Sequence, residues 1–112
     1  MFRFLISLIS FLLLFPSIAL SNPTSRDSFE WDGTVITRFI GEETDVVIPD
    51  GTTEIGEQAF QDCDSLVSVV IPKGVKVIGA YAFESCNCLK AVLLPEGLTE
   101  IKAGVFCCCE SL

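Results

Sequence analysis

The chain has 112 residues, room for one small domain, and half of them are apolar. Fifteen acids against seven bases give a net charge of −8, a surface that repels phosphate backbones and argues against nucleic acid as a partner. There is no histidine, which removes the commonest general base, the Ser-His and Cys-His nucleophile pairs and most catalytic zinc ligand sets.

The positive mean hydropathy comes largely from the first stretch. Met1-Phe2-Arg3 is a short basic start, and Phe4 to Phe15 is apolar except for Ser7 and Ser10. Ala19-Leu20-Ser21 then puts small residues where a signal peptidase inspects the chain. This layout predicts a secretory signal over residues 1–21, cleaved after Ser21. A membrane anchor needs roughly 20 apolar residues, more than this run supplies, and Pro16 interrupts it. The mature chain is therefore expected to be exported, secreted or at the cell surface, with no membrane span. Past residue 21, fifteen acids face six bases, a net charge of −9.

Residues 22–43 read as a tail and a cap. Asn22 to Ser28 has no apolar pattern and is expected to be loose. Phe29-Glu30-Trp31, then Asp32-Gly33, then Thr34 to Phe39 reads as a β-hairpin, because Asp-Gly between alternating apolar residues is a strong short-range hairpin signal. Trp31 or Phe39 is expected to cover the open end of the repeats that begin at residue 44.

From residue 44 to 112 the chain repeats itself every 23 residues. Pro49/Pro72/Pro95, Gly51/Gly74/Gly97, Ile55/Ile78/Ile101, Phe60/Phe83/Phe106, Cys63/Cys86/Cys109 and Leu66/Leu89/Leu112 fall into register. A period of this length predicts stacked coils that seal one another's interiors, an α/β solenoid of the leucine-rich repeat kind with short parallel strands. Within a coil, Leu66, Val69 and Ile71 point inward and Val70 outward, so a short strand runs there and again at Leu89 to Leu94. Pro72 removes the next ladder donor and ends the strand. Inward residues then recur as Val75, Ile78, Ala82, Phe83, Cys86 and Leu89, a spacing that predicts one or two helical turns around Gly79 to Ser85. Equivalent turns are predicted at Gly56 to Asp62 and Lys102 to Cys108. The first coil is atypical, with Glu43 at the place of Leu66 and Thr52 at that of Val75, as terminal units often are.

Six cysteines in an exported chain would ordinarily suggest disulfides. Here Cys63, Cys86 and Cys109 form one inward column and are expected as free, buried thiols, although neighbouring strands lie close enough for a bridge. Cys88, Cys107 and Cys108 stand off the column and are the reactive candidates.

The segments IPDGTTEIGEQAFQDCDSL, IPKGVKVIGAYAFESCNCL and LPEGLTEIKAGVFCCCESL, spanning Val46 to Leu112 with the sequence just before them, resemble the BspA-like leucine-rich repeat family. The third unit departs at Lys102 and Val105 and in its cysteine run. The resemblance implies an exported or surface protein of a bacterium or parasitic protist, associated with adhesion to host proteins or other microbes.

No catalytic residue, metal ligand set or cofactor is expected. The carboxylates Glu42, Glu43, Asp45, Asp62 and Asp64 fall in turns or on an acidic lead-in, where a solvated face explains them. Cys-x-Cys and Cys-Cys-Cys spacing suits tetrahedral zinc poorly. The candidate binding surface is the outward strand face: Val47, Val70 and Leu93 in one apolar column, flanked by Asp45, Ser68 and Ala91. Its expected partner is a protein or other extracellular macromolecule. Asp50, Lys73 and Glu96 are expected to form a column of alternating charge that steadies the coils. The coil array stops where a further strand would begin, which predicts first a chain that is a piece of a longer surface protein, and otherwise self-association through an open edge or a poorly stable product.

Overall fold

The computed structural model describes residues 22–112; the expected leader at 1–21 lies outside the described residues. Among the described residues, eight strands follow a 3-10 turn at Arg26–Ser28: β1 (Phe29–Asp32), β2 (Val35–Phe39), β3 (Asp45–Val47), β4 (Glu54–Ile55), β5 (Ser68–Val70), β6 (Val77–Ile78), β7 (Ala91–Leu93) and β8 (Glu100–Ile101). Each 23-residue coil contributes one strand to each of two parallel ladders. β3, β5 and β7 form a three-stranded sheet in which Val46, Val69 and Val92 stand side by side. β2, β4, β6 and β8 form the second ladder, with Ile36, Ile55, Ile78 and Ile101 in register and β1 paired antiparallel on the outside of β2. The leucine-rich repeat architecture is present, and the second ladder is an element that the inward isoleucines alone did not reveal.

Corners join the two ladders. In each coil the residue three beyond the proline donates its amide to that proline's carbonyl: Thr52 to Pro49, Val75 to Pro72 and Leu98 to Pro95. Proline cannot continue the ladder, so it suits the strand end and leaves the carbonyl to close the turn.

The third side of each coil departs from the helical turns expected there, because no α-helix forms among the described residues. The amides of residues 56–66 alternate between two uses. Ala59, Gln61, Cys63 and Leu66 bond to carbonyls three residues back, at Gly56, Gln58, Phe60 and Cys63. Gln58, Phe60 and Asp62 instead donate across to Ala80, Ala82 and Glu84 of the next coil. A helix consumes every interior amide within its own segment, so a neighbour that accepts every second one is incompatible with it. The alternation also requires left-handed backbone at two places per coil: Gln58 and Asp62 (φ 57 and 59), Tyr81 and Ser85 (57 and 59), Gly104 and Cys108 (65 and 63). The third coil keeps this geometry despite its altered residues.

The core is a pile of rings enclosed by aliphatic ladders. Phe39 stacks on Phe60 at 5.1 Å, Phe60 on Phe83 at 4.8 Å and Phe83 on Phe106 at 5.8 Å, all within 21° of parallel. Phe29 packs beside Phe39 and Phe60, and Trp31 meets Phe29 edge to face. Leu66, Val69, Ile71, Val75, Ile78, Ala82, Phe83, Cys86 and Leu89, the inward residues of the middle coils, are all buried. Close approach between coils explains a glycine: a Cβ on Gly79 would lie 2.6 Å from the Glu57 amide nitrogen and 2.7 Å from the Gly56 carbonyl carbon.

The segment before the first coil behaves as a shortened coil of its own. The hairpin turn falls at Gly33-Thr34, one residue later than the Asp-Gly reading, and Gly33 takes φ 61 as the first residue of the two-residue loop. The expected loose tail is ordered along the edge of β3. The Thr24 amide donates to the Val47 carbonyl and the Val47 amide donates to Thr24 Oγ1, both at 2.9 Å. Thr24 lies one repeat, 23 residues, before Val47. An edge strand presents unpaired polar groups, and a threonine that can both donate and accept satisfies them. Arg26 lies 3.8 Å over the Trp31 ring, whose Nε1 donates to the Arg26 carbonyl, which fastens the same segment to the hairpin.

Substitutions in the atypical first coil are accommodated by polar partners. Thr52 is fully buried with its hydroxyl donating to the Pro49 carbonyl at 2.7 Å, and Glu43 accepts from Ser28 Oγ at 2.7 Å.

Candidate partner-binding face

Parallel register sets the three-stranded sheet's outer column. Val47 is opposite Val70 and Val70 opposite Leu93, so their side chains emerge from one face at the same height. All three are half-buried and pack around Ala91. Asp45, Ser68 and Ala91 make the adjacent row, again in register. Asp45 is exposed and accepts from Ser68 Oγ at 2.6 Å.

Ser68 and Ala91 do not offer the accessible surface expected of them. Their relative exposures are 0% and 2%. Both are small, and the Ser68 hydroxyl is already committed to Asp45. The accessible part of the candidate face is therefore Val47, Val70, Leu93 and Asp45. The expected charge column also differs: Asp50, Lys73 and Glu96 are aligned and exposed but form no ion pair with one another, as is common for solvated charges. Uncharged and singly charged partners take that role instead. Gln61 donates to Glu84 and Asn87 donates to Asp64 at 3.1 Å, each across one repeat.

The cysteine column has a structural use that the repeat predicted only in outline. Cys86 Sγ donates to the Phe60 carbonyl at 3.0 Å, and Cys109 Sγ donates to the Phe83 carbonyl at 2.9 Å. Each thiol thus ties its coil to the aromatic position of the preceding one. All six cysteines are free. A hydrogen bond with Cys86 holds the Cys63 thiol below the ordinary value. The same contact, and then burial, pushes Cys86 far up, while burial raises Cys109. The off-column thiols Cys88, Cys107 and Cys108 are exposed.

Two shallow grooves lie near the N-terminal end. One, of about 530 Å³, is lined by Thr37, Arg38, Phe39, Glu57, Gln58, Gln61 and Asp62 among others. The other, of about 510 Å³, is lined by Glu42, Glu43, Asp62 and Asp64 with their neighbours. No group of three or more cysteine or carboxylate side chains converges on a metal position among the described residues.

Comparison with known proteins agrees with this geometry. The family model for the BspA type leucine rich repeat region (6 copies) matches residues 41–112, well over half of the chain. The chain belongs to the BspA-type leucine-rich repeat family. Among solved structures it is similar to a leucine rich repeat protein of T. pallidum, at 37% identity and a TM-score of 0.78, over 81% of this chain and 48% of that one. It also resembles a leucine rich cell surface protein from Faecalibacterium prausnitzii, at 27% identity and a TM-score of 0.66, over 82% of this chain and 29% of that one. A leucine-rich repeat protein from Bacteroides ovatus aligns at 27% identity and a TM-score of 0.61, over 81% of this chain and 26% of that one. The chain thus spans about half the length of the first of these proteins and under a third of the other two. None of the curated proteins matches. No helix among the described residues is long and apolar enough to cross a membrane.

Proposed function

We propose that this chain is a non-enzymatic binding module of an exported, surface-displayed protein, and that it holds a protein or other extracellular macromolecule against the outer face of the three-stranded sheet in an adhesion-type contact. The observation that carries this reading is the registered column of Val47, Val70 and Leu93, half-exposed on a rigid sheet with Asp45 beside it. A repeated strand face presents apolar groups at fixed spacing, which lets several weak contacts act together on an extended partner. The surface protein from F. prausnitzii, which shares the fold, supports display outside the cell. The leader-like residues 1–21 support the same placement.

Val70→Asp and Leu93→Asp test the face. Beads carrying the chain are offered a panel of immobilised extracellular proteins, and retention is compared with circular dichroism of each variant. Tenfold weaker retention at unchanged dichroism is the expected result; equal retention would remove this surface from the reading.

A second reading rests on the outer strands β7 and β8. Ile101 on β8 is 46% exposed, and Leu94, Leu98, Phe106 and Leu112 are only partly covered. Such an edge fits another coil or a second copy of the chain. Light scattering decides, since a monomer at high micromolar concentration excludes pairing between copies.

A further inference from the structure

The six thiols divide into two populations by position in the coil. Cys63, Cys86 and Cys109 follow the stacked phenylalanines by three residues, and the latter two donate to carbonyls of the preceding coil. Cys107 and Cys108 replace Glu84 and Ser85 of the second coil and Gln61 and Asp62 of the first. Both are exposed, and their sulfurs lie 3.4 Å apart. The left-handed backbone at Cys108 is imposed by the fold, since Asp62 and Ser85 adopt it at the same position. The coil's turn thus fixes the backbone from which the two sulfurs meet.

We propose that Cys107 and Cys108 are a redox-sensitive dithiol that low-molecular-weight disulfides oxidise to a disulfide between adjacent residues. Disulfide formation requires the sulfurs to approach from 3.4 Å to about 2.05 Å and closes an eight-membered ring that includes the Cys107–Cys108 peptide bond. In the first step the Cys107 thiolate attacks one sulfur of the small disulfide, whose S–S bond breaks, and the released thiolate takes up a proton. In the second step Cys108 gives up its proton and attacks the Cys107 sulfur, expelling the other half of the reagent as a second thiol. Two electrons and two thiol hydrogens pass from the protein to the reagent, which leaves as two thiols. The order follows from the contact: Cys108 is held above its ordinary value first by its hydrogen bond to Cys107 and then by the charge of Cys107, with Glu84 adding to it. Cys108 thus keeps its proton while Cys107 attacks.

The product is expected to be easily reduced. Neighbouring Cα atoms are about 3.8 Å apart, closer than the usual range of about 4.4–6.8 Å for bridged cysteines. Strained disulfides have more oxidising potentials and are the labile ones. The site would therefore respond to the thiol-disulfide balance outside the core without disturbing the cysteine column.

The test is incubation of the folded chain with glutathione disulfide, quenching with iodoacetamide and peptide mass mapping. The expected result is a peptide carrying Cys107 and Cys108 that is two hydrogens lighter and reverts with millimolar reduced glutathione. Cys108→Ser is expected to stop at a stable glutathione adduct on Cys107, and Cys107→Ser to abolish closure and leave at least tenfold slower adduct formation on Cys108. Both sulfurs lie outside the core, so circular dichroism of each variant should match the parent. The proposal is overturned by adducts on both cysteines without closure, by pairing with Cys88, Cys109 or a second chain, or by an unreactive peptide.

Discussion

Phe83→Ala probes the claim that the coils are held by one continuous pile of rings. Phe83 is fully buried between Phe60 at 4.8 Å and Phe106 at 5.8 Å, each inclined by 17°. Removing a buried phenylalanine ring costs about 3–5 kcal/mol, which includes the cavity left behind. A domain of about 90 residues has roughly 5–14 kcal/mol of total stability. The variant is therefore expected to lose between about a fifth and all of that stability. Phe106 is half-buried, and Phe106→Ala is expected to cost less, on the order of 1–2 kcal/mol by apolar burial. Urea unfolding followed by Trp31 fluorescence and by far-ultraviolet dichroism measures both. Trp31 packs against Phe29 at the far end of the pile, so agreement of the two probes also shows whether the coils unfold together. A Phe83→Ala cost below about 1 kcal/mol, or one smaller than that of Phe106→Ala, would refute the continuous pile.

Three further outcomes are expected. Gly79→Ala drives a Cβ into backbone of the preceding coil, where nothing can rotate away, and should cost about 1–3 kcal/mol in chemical denaturation; a neutral result would mean the coils are not so closely stacked. Thr24→Val removes the acceptor for the Val47 amide and should cost about 0.5–1.5 kcal/mol, with faster hydrogen exchange at that amide; unchanged exchange would place the tail elsewhere. Stability should fall as pH rises above roughly 8.5. The Cys86 thiol is raised on folding, by its hydrogen bond with Cys63 and then by burial, so its contribution is complete below the unfolded thiol value and declines above it. The lowered Cys63 acts in the opposite sense and in a lower window, its contribution being complete above the unfolded thiol value and lost as pH falls through the folded one. Denaturation midpoints at pH 7, 8.5 and 10 should separate the parent from Cys86→Val, in which the slope is expected to flatten; parallel curves would assign the pH dependence to other groups.

Much of this architecture is legible along the chain. The phenylalanine pile, the inward leucine and valine positions and the cysteine column all follow from a side chain's place in a 23-residue period, because equivalent positions in stacked coils face the same way. The helical turns expected around Gly79 to Ser85 do not form, and the reason is specific. Inward spacings of three and four residues fit a helix and also fit a run of tight turns. The choice falls to the neighbouring coil, whose carbonyls at Ala103, Val105 and Cys107 take the amides of Tyr81, Phe83 and Ser85.

The candidate face divides in the same way. That Val47, Val70 and Leu93 share a column is readable from strand alternation and period. That Ser68 and Ala91 are covered, that Thr24 closes the edge of β3, and that the exposed charges of the Asp50 column stay apart emerge only on folding. A repeat encodes which way each side chain points, since that depends on neighbours along the backbone. Accessibility and polar pairing depend on atoms brought alongside from a repeat or more away, and their heights are set by how the coils stack.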